Sequence, residues 1–157
     1  MTRALQFTSL LLTALTLSLT FSHLLEMPRK LKYGPELYMA VQHTLYLYFA
    51  WVGAFAEVGA ACALLWLLFL VGKQSSAYPL TLIAFVSVTL GLALWFLLVS
   101  PANHQMAAWS VLPLPANWTV VRRQWEVGHA ISAVLDLLGF ACLAASVTIS
   151  RSTNGTQ

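Results

Sequence analysis

Charged side chains are what this chain has least of: eight Lys and Arg and five Asp and Glu among 157 residues, 8% in all, against roughly 25% in a soluble domain. With 59% hydrophobic residues and a mean hydropathy of +0.76, too little polar surface is left to solvate a globule in water. Cysteine is also scarce. Cys62 and Cys142 each sit in an apolar run with no C-x-x-C neighbour, which excludes a thiolate metal site or redox pair and leaves both as packing residues. The net charge of +3 comes from basic residues scattered over short polar segments, so nucleic acid is not an expected partner and membrane lipid is. Internal repeats and low-complexity tracts are missing. The length suits a single domain, read as 1–150, with a polar, disordered tail at 151–157.

What the chain does have is four apolar runs, at about 4–25, 38–71, 79–99 and 127–149, each near or above the roughly 20 residues a helix needs to cross a bilayer. The expected fold class is all-α: a four-helix transmembrane bundle, multi-pass and integral to the membrane, with a longer interfacial loop between spans three and four. Arg3 ahead of the first run and Ser22 near its end also fit a cleavable signal. The run continues through Leu24 and Leu25, which fits a retained anchor better. Gly53, Ala56, Ala60 and Ala63 form a small-residue stripe on the second run, read as the packing seam; a homo-oligomer stays open. In the third connection, "SPANHQMAAWSVLPLPANWTVVRRQWE", Pro101, Pro113 and Pro115 are expected to break helices, and Trp109, Trp118 and Trp125 to lie in the interfacial layer. Arg29, Lys30, Lys32, Arg122 and Arg123 at that face outnumber Arg3, Lys73 and Arg151 opposite, which puts the termini outside by the positive-inside rule.

Four antiparallel spans bring the end of the first, the start of the second, the end of the third and the start of the fourth to one face. All four histidines, His23, His43, His104 and His129, fall in that layer, with Glu26, Glu36 and Glu126. His23 and Glu26 are three residues apart, as are Glu126 and His129, so each pair shares a helix face and the two pairs are expected to converge in one pocket. Glu-x-x-His on bundle helices supplies ligands in di-metal carboxylate proteins; a complete site of that kind here needs Glu36, His43 or His104 as well. Simple solvation at the interface is the competing account of each residue. Glu57 and Asp136 lie deep in their spans, where a lipid-exposed carboxylate is costly, so both should face the bundle, as packing contacts or as cavity lining. Asp136, seven residues past His129, sits about 10 Å deeper at 1.5 Å per residue.

The stretches "SHLLEMP", "PANHQMAAW" and "RRQWEVGHA" together resemble the anthrone oxygenase family of small four-span membrane proteins, over most of the chain. The family's polar marks fall on His23, Glu26, Pro28, Pro101, Asn103, Arg123, Trp125, Glu126 and His129. Such a resemblance implies oxygenation by dioxygen of an activated carbon in a phenolic, polyketide-type small molecule such as an anthrone, giving a quinone. His23 or His129 would then serve as base, Glu26 or Glu126 would orient the imidazole, and Arg123 and Asn103 would stabilise the developing oxyanion, with His43, Trp109 and Trp125 against the substrate. A cofactor-free route and one assisted by a metal bound by His and Glu both use these residues. A non-catalytic accessory protein, or one binding haem through His23, His43 or His129, is the alternative.

Overall fold

The computed structural model describes residues 2–109 and 112–152. Helix α1 is Thr2–Lys30, α2 is Pro35–Thr44, α3 is Leu47–Val71, and α4, Tyr78–Leu94, passes through a π-helical turn at Trp95–Val99 into α5, Ser100–Ala107; α6 is Trp118–Ser152. Among the described residues, four helical stretches are long and apolar enough to cross a bilayer: Arg3–Lys30, Tyr48–Val71, Tyr78–Ala107 and Trp118–Ile149. The fold is an all-α four-helix bundle. α1 packs on α3 and α6, and α4 packs on the same two, so α1 and α4 stand across the bundle from each other. The tail read at 151–157 lies outside the described residues from 153 onward, and α6 itself continues through Ser152.

The least apolar span, α1, explains how the bundle is organised. Ser9, Thr13, Thr16, Thr20, His23 and Lys30 are buried, while Phe7, Leu11, Leu15 and Leu25 are exposed. A helix with its polar stripe inward and its apolar stripe outward suits a hydrocarbon surround and not water. The buried threonine hydroxyls bond the preceding turn of the helix: Thr13 donates to the Ser9 carbonyl at 2.7 Å and Thr16 to that of Leu12 at 3.1 Å. α6 repeats the arrangement, burying Glu126, His129, Ser132, Asp136 and Ser146 and exposing Val120, Ile131, Val134 and Leu137.

Two apolar clusters close the ends of the bundle. Tyr38, Met39, Val99, Ala102, Met106, Val121 and Trp125 form one, and Ala60, Leu64, Leu67, Ala84, Val88, Leu143 and Val147 the other. Of the expected seam, Ala56, Ala60 and Ala63 are buried and Gly53 is half-buried. Between the two clusters α6 buries His129, Ser132 and Asp136.

Three departures from the sequence reading matter. The run 38–71 is two helices, broken at Leu45 and Tyr46. α6 starts at Trp118, nine residues before the apolar run at 127. Pro101 does not end the third span; it occupies the first turn of α5, where a missing N–H is tolerated. The turn ahead of it widens so that the Ser100 N–H bonds the Trp95 carbonyl, which relieves the clash a proline ring makes with the carbonyl four residues back. Gln124 Nε2 donates to the Leu98 carbonyl at 2.9 Å, serving an acceptor inside the widened turn.

Candidate functional site

Helical phase builds the polar layer. On α1, His23, Glu26 and Lys30 fall on one stripe, and the helix carries Pro28 within its last turn and continues to Lys30. On α6, Arg122, Trp125, Glu126, His129 and Asp136 share the inward face. The stripes meet at His23 and His129, whose rings lie 4.3 Å apart between centroids. Trp125 stands edge-on to both, at 4.9 Å from His23 and 4.3 Å from His129, and Tyr46 is edge-on to His23 at 4.6 Å. Trp125 Nε1 donates to Asn103 Oδ1 at 2.7 Å, which fixes the amide and leaves its Nδ2 as the donor.

Behind the imidazoles lies an ion triad of two buried groups, Lys30 and Glu126, and the partly exposed Glu26. Lys30 Nζ is 3.5 Å from Glu26 Oε2 and 3.3 Å from Glu126 Oε2, and it sits over the rings of Trp125 and Tyr46 at 4.5 and 4.9 Å. The Tyr46 hydroxyl donates to Glu26, and that of Tyr38 to Glu126 Oε1 at 3.2 Å. Burial, then the charge of Glu126, pushes the Tyr38 pKa up from its usual value; burial, then the hydrogen bond to Glu26, does the same for Tyr46. Both phenols therefore stay neutral donors to the triad.

In front of the imidazoles lies a cavity of about 300 Å³, at the lower end of the range for small-molecule sites. His23, His129, Asn103, Trp125, Tyr46 and Gln42 line one end; Leu19, Phe49, Leu92, Trp95 and Phe96 form walls; Thr16, Thr20 and Glu57 line the rest. Ala50, Ala54, Val58 and Phe96 line it too while remaining exposed on the bundle surface, so the cavity opens sideways between α3 and the π turn. Thr20 donates to Asp136 Oδ2 at 2.9 Å. A Cβ added at Gly91 would lie 3.4 Å from Asp136 Oδ1 and 3.5 Å from Glu57 Oε1, so this glycine leaves space into which both carboxyls reach.

Of the residues expected from the sequence, His23, His129, Asn103 and Trp125 line the cavity. Glu26 and Glu126 stand behind it, joined by Lys30. Glu126 does not orient His129, because its oxygens meet Lys30 and Tyr38; Glu26 Oε2 lies 3.8 Å from His23 Nδ1. Arg123 is exposed and away from the cavity. Arg122 turns inward instead, donating to the Tyr33 carbonyl at 3.0 Å and lying over Trp118 at 4.5 Å, because it shares the phase of Glu126 and His129 while residue 123 is rotated by about 100°. His43 and His104 are exposed, and Trp109 packs against the Tyr38 cluster, not the cavity. The sequence reading assigns no site role to Lys30, Tyr38 or Tyr46; a signal is present for Lys30, which continues the His23 and Glu26 stripe one turn on.

No three His, Cys, Asp or Glu side chains among the described residues are grouped to hold a metal ion. The Lys30 ammonium fills the place between two carboxylates that a bridging cation takes in di-metal bundles. The imidazole pair does not fit haem either. Metal–imidazole bonds of about 2 Å on each side of a macrocycle put axial ring centroids roughly 6 Å apart, and here they are 4.3 Å apart with Trp125 against both. No family model, curated protein or solved structure matches the chain.

Proposed function

We propose that the chain is an integral membrane oxygenase that takes a flat, apolar, phenolic molecule of the anthrone kind from the bilayer and oxidises its activated CH2 group with dioxygen. The observation that supports this most is the pair of buried imidazoles at one end of an aromatic-walled cavity that opens toward the apolar surface. In this reading His23 removes a proton from the CH2 carbon. Glu26, beside its Nδ1, balances the imidazolium formed and, being partly exposed, passes the proton outward. The Asn103 Nδ2 donates to the oxyanion that develops as the ring system takes up the charge. The electron-rich carbanion reduces dioxygen. One oxygen atom ends as the new carbonyl, and the other leaves as water, its two hydrogens balancing the two lost from the CH2 carbon once a proton from the surroundings replaces the one passed outward. Every acid–base role falls on a residue of this chain.

Dioxygen uptake by the purified protein in micelles, with anthrone as substrate, tests the reading. The expected result is uptake that persists with chelator present and falls by about 10²-fold or more in His23→Ala, with the helical circular dichroism unchanged. No uptake by the wild type, or wild-type rates in His23→Ala, would refute it.

A further inference from the structure

The cavity has polar groups at two levels, and the proposed reaction uses only one. Glu57 lines it below the imidazoles and is buried, with 7% of its surface exposed. Among the described residues its Oε1 has no hydrogen-bond partner. Asp136, fully buried behind it, holds one oxygen on Thr20, and its Oδ1 likewise has no partner among the described residues. An unsatisfied carboxyl in an apolar setting is destabilising, and a ligand group that supplies the missing hydrogen relieves it.

From this we infer that Glu57, seated by Asp136 and Thr20, is a specificity-determining acceptor for a hydroxyl on the ligand edge remote from the imidazole pair. The inference rests on the proposed use of the cavity and narrows its substrate class to flat aromatics with a free hydroxyl opposite the reacting carbon. The spacing agrees. His23 to Thr20 is three residues of α1 and His129 to Asp136 seven of α6, placing the two levels roughly 5 to 10 Å apart. That distance accommodates an aromatic ring with a hydrogen-bonding contact of about 3 Å at its edge.

The test is equilibrium binding without dioxygen, read by quenching of tryptophan emission, since Trp95 and Trp125 line the cavity. The probes are anthracene and an outer-ring monohydroxyanthracene, each corrected for partition into protein-free micelles. Wild type is expected to bind the hydroxylated probe about 2- to 12-fold tighter, the range of one net hydrogen bond. Glu57→Gln, which keeps an acceptor, should retain the preference; Glu57→Leu and Glu57→Met should lose it, each binding the two probes with equal affinity. Equal affinities in the wild type would overturn the inference with no variant needed. So would a preference that survives in Glu57→Leu or Glu57→Met. Oxygen uptake plays no part in this readout, so an inactive protein that keeps the Glu57-dependent preference would count against the reaction alone.

Discussion

Lys30→Met removes the cation that lies between Glu26 and Glu126. The two carboxylates respond differently. The side chain of Glu26 is 43% exposed, so water screens it, and its share of the loss stays below about 1 kcal/mol. That of Glu126 is fully buried, and stripping the partner from a buried charge costs about 3–5 kcal/mol. The hydrogen bond from Tyr38 survives, which sets the expectation at the lower end, about 3 kcal/mol, or roughly two decades in the unfolding constant at 1.4 kcal/mol per decade. Glu126→Gln is milder, about 1–2 kcal/mol, because Lys30 keeps Glu26 and two aromatic faces. With both charges gone the double variant should cost at least about 1 kcal/mol less than the sum. Denaturant titration in mixed micelles, followed by tryptophan emission, measures all three. A Lys30→Met cost under about 1 kcal/mol, or strictly additive costs, would refute the triad as a coupled unit.

Gly128→Ala places a Cβ 2.8 Å from Val99 Cγ2 and 3.3 Å from Leu98 Cβ; the overpacking of about 1–3 kcal/mol should exceed the gain of about 1 kcal/mol in helix propensity, so a more stable variant in the same titration would contradict the close contact of α6 with the π turn. Tyr38 and Tyr46 have pKa values raised above 10.0 in the folded protein, so above that pH the native state holds more protons than the unfolded chain, and stability falls as pH rises. Tyr38→Phe and Tyr46→Phe should each flatten that decline, and neither should remove phenolate absorbance from the folded protein about one pH unit above the usual value, whereas each removes one phenolate from the denatured chain.

Span number and the meeting of His23 with His129 were readable from the sequence because both depend on helical period and on charge scarcity, which survive any choice of neighbours. Lys30 was not. In a basic segment such as "EMPRKLKYGPE" a lysine looks solvated, and only the continuation of α1 past Pro28 keeps it on the inner stripe. The break at Tyr46 has no proline or glycine to announce it; it accompanies a tertiary contact, the hydroxyl reaching Glu26. The resemblance points to Arg123, whereas the phase set by Glu126 and His129 points to Arg122. Glu57 was legible as inward-facing because hydrocarbon excludes a bare carboxyl, but its position beneath the imidazoles required knowing where α3 begins.

The widened turn at Trp95–Val99 has a bearing on how insertions and deletions in this chain should be interpreted. It stores one residue beyond what a regular α-helix of the same rise would hold. A deletion there has a simple outlet, the return to α-helical winding, whereas a deletion a few turns earlier in α4 has none. The difference shows at the site. Each residue of regular helix counts for about 100° of rotation, so a deletion in α4 that lacks this outlet swings everything beyond it and carries Asn103 away from Trp125, whereas a deletion absorbed by the widened turn leaves the phase of α5 as it is. The residue count of α4 is thus part of the site's specification, and two chains of identical hydropathy that differ by one position there would present different groups to the same ligand.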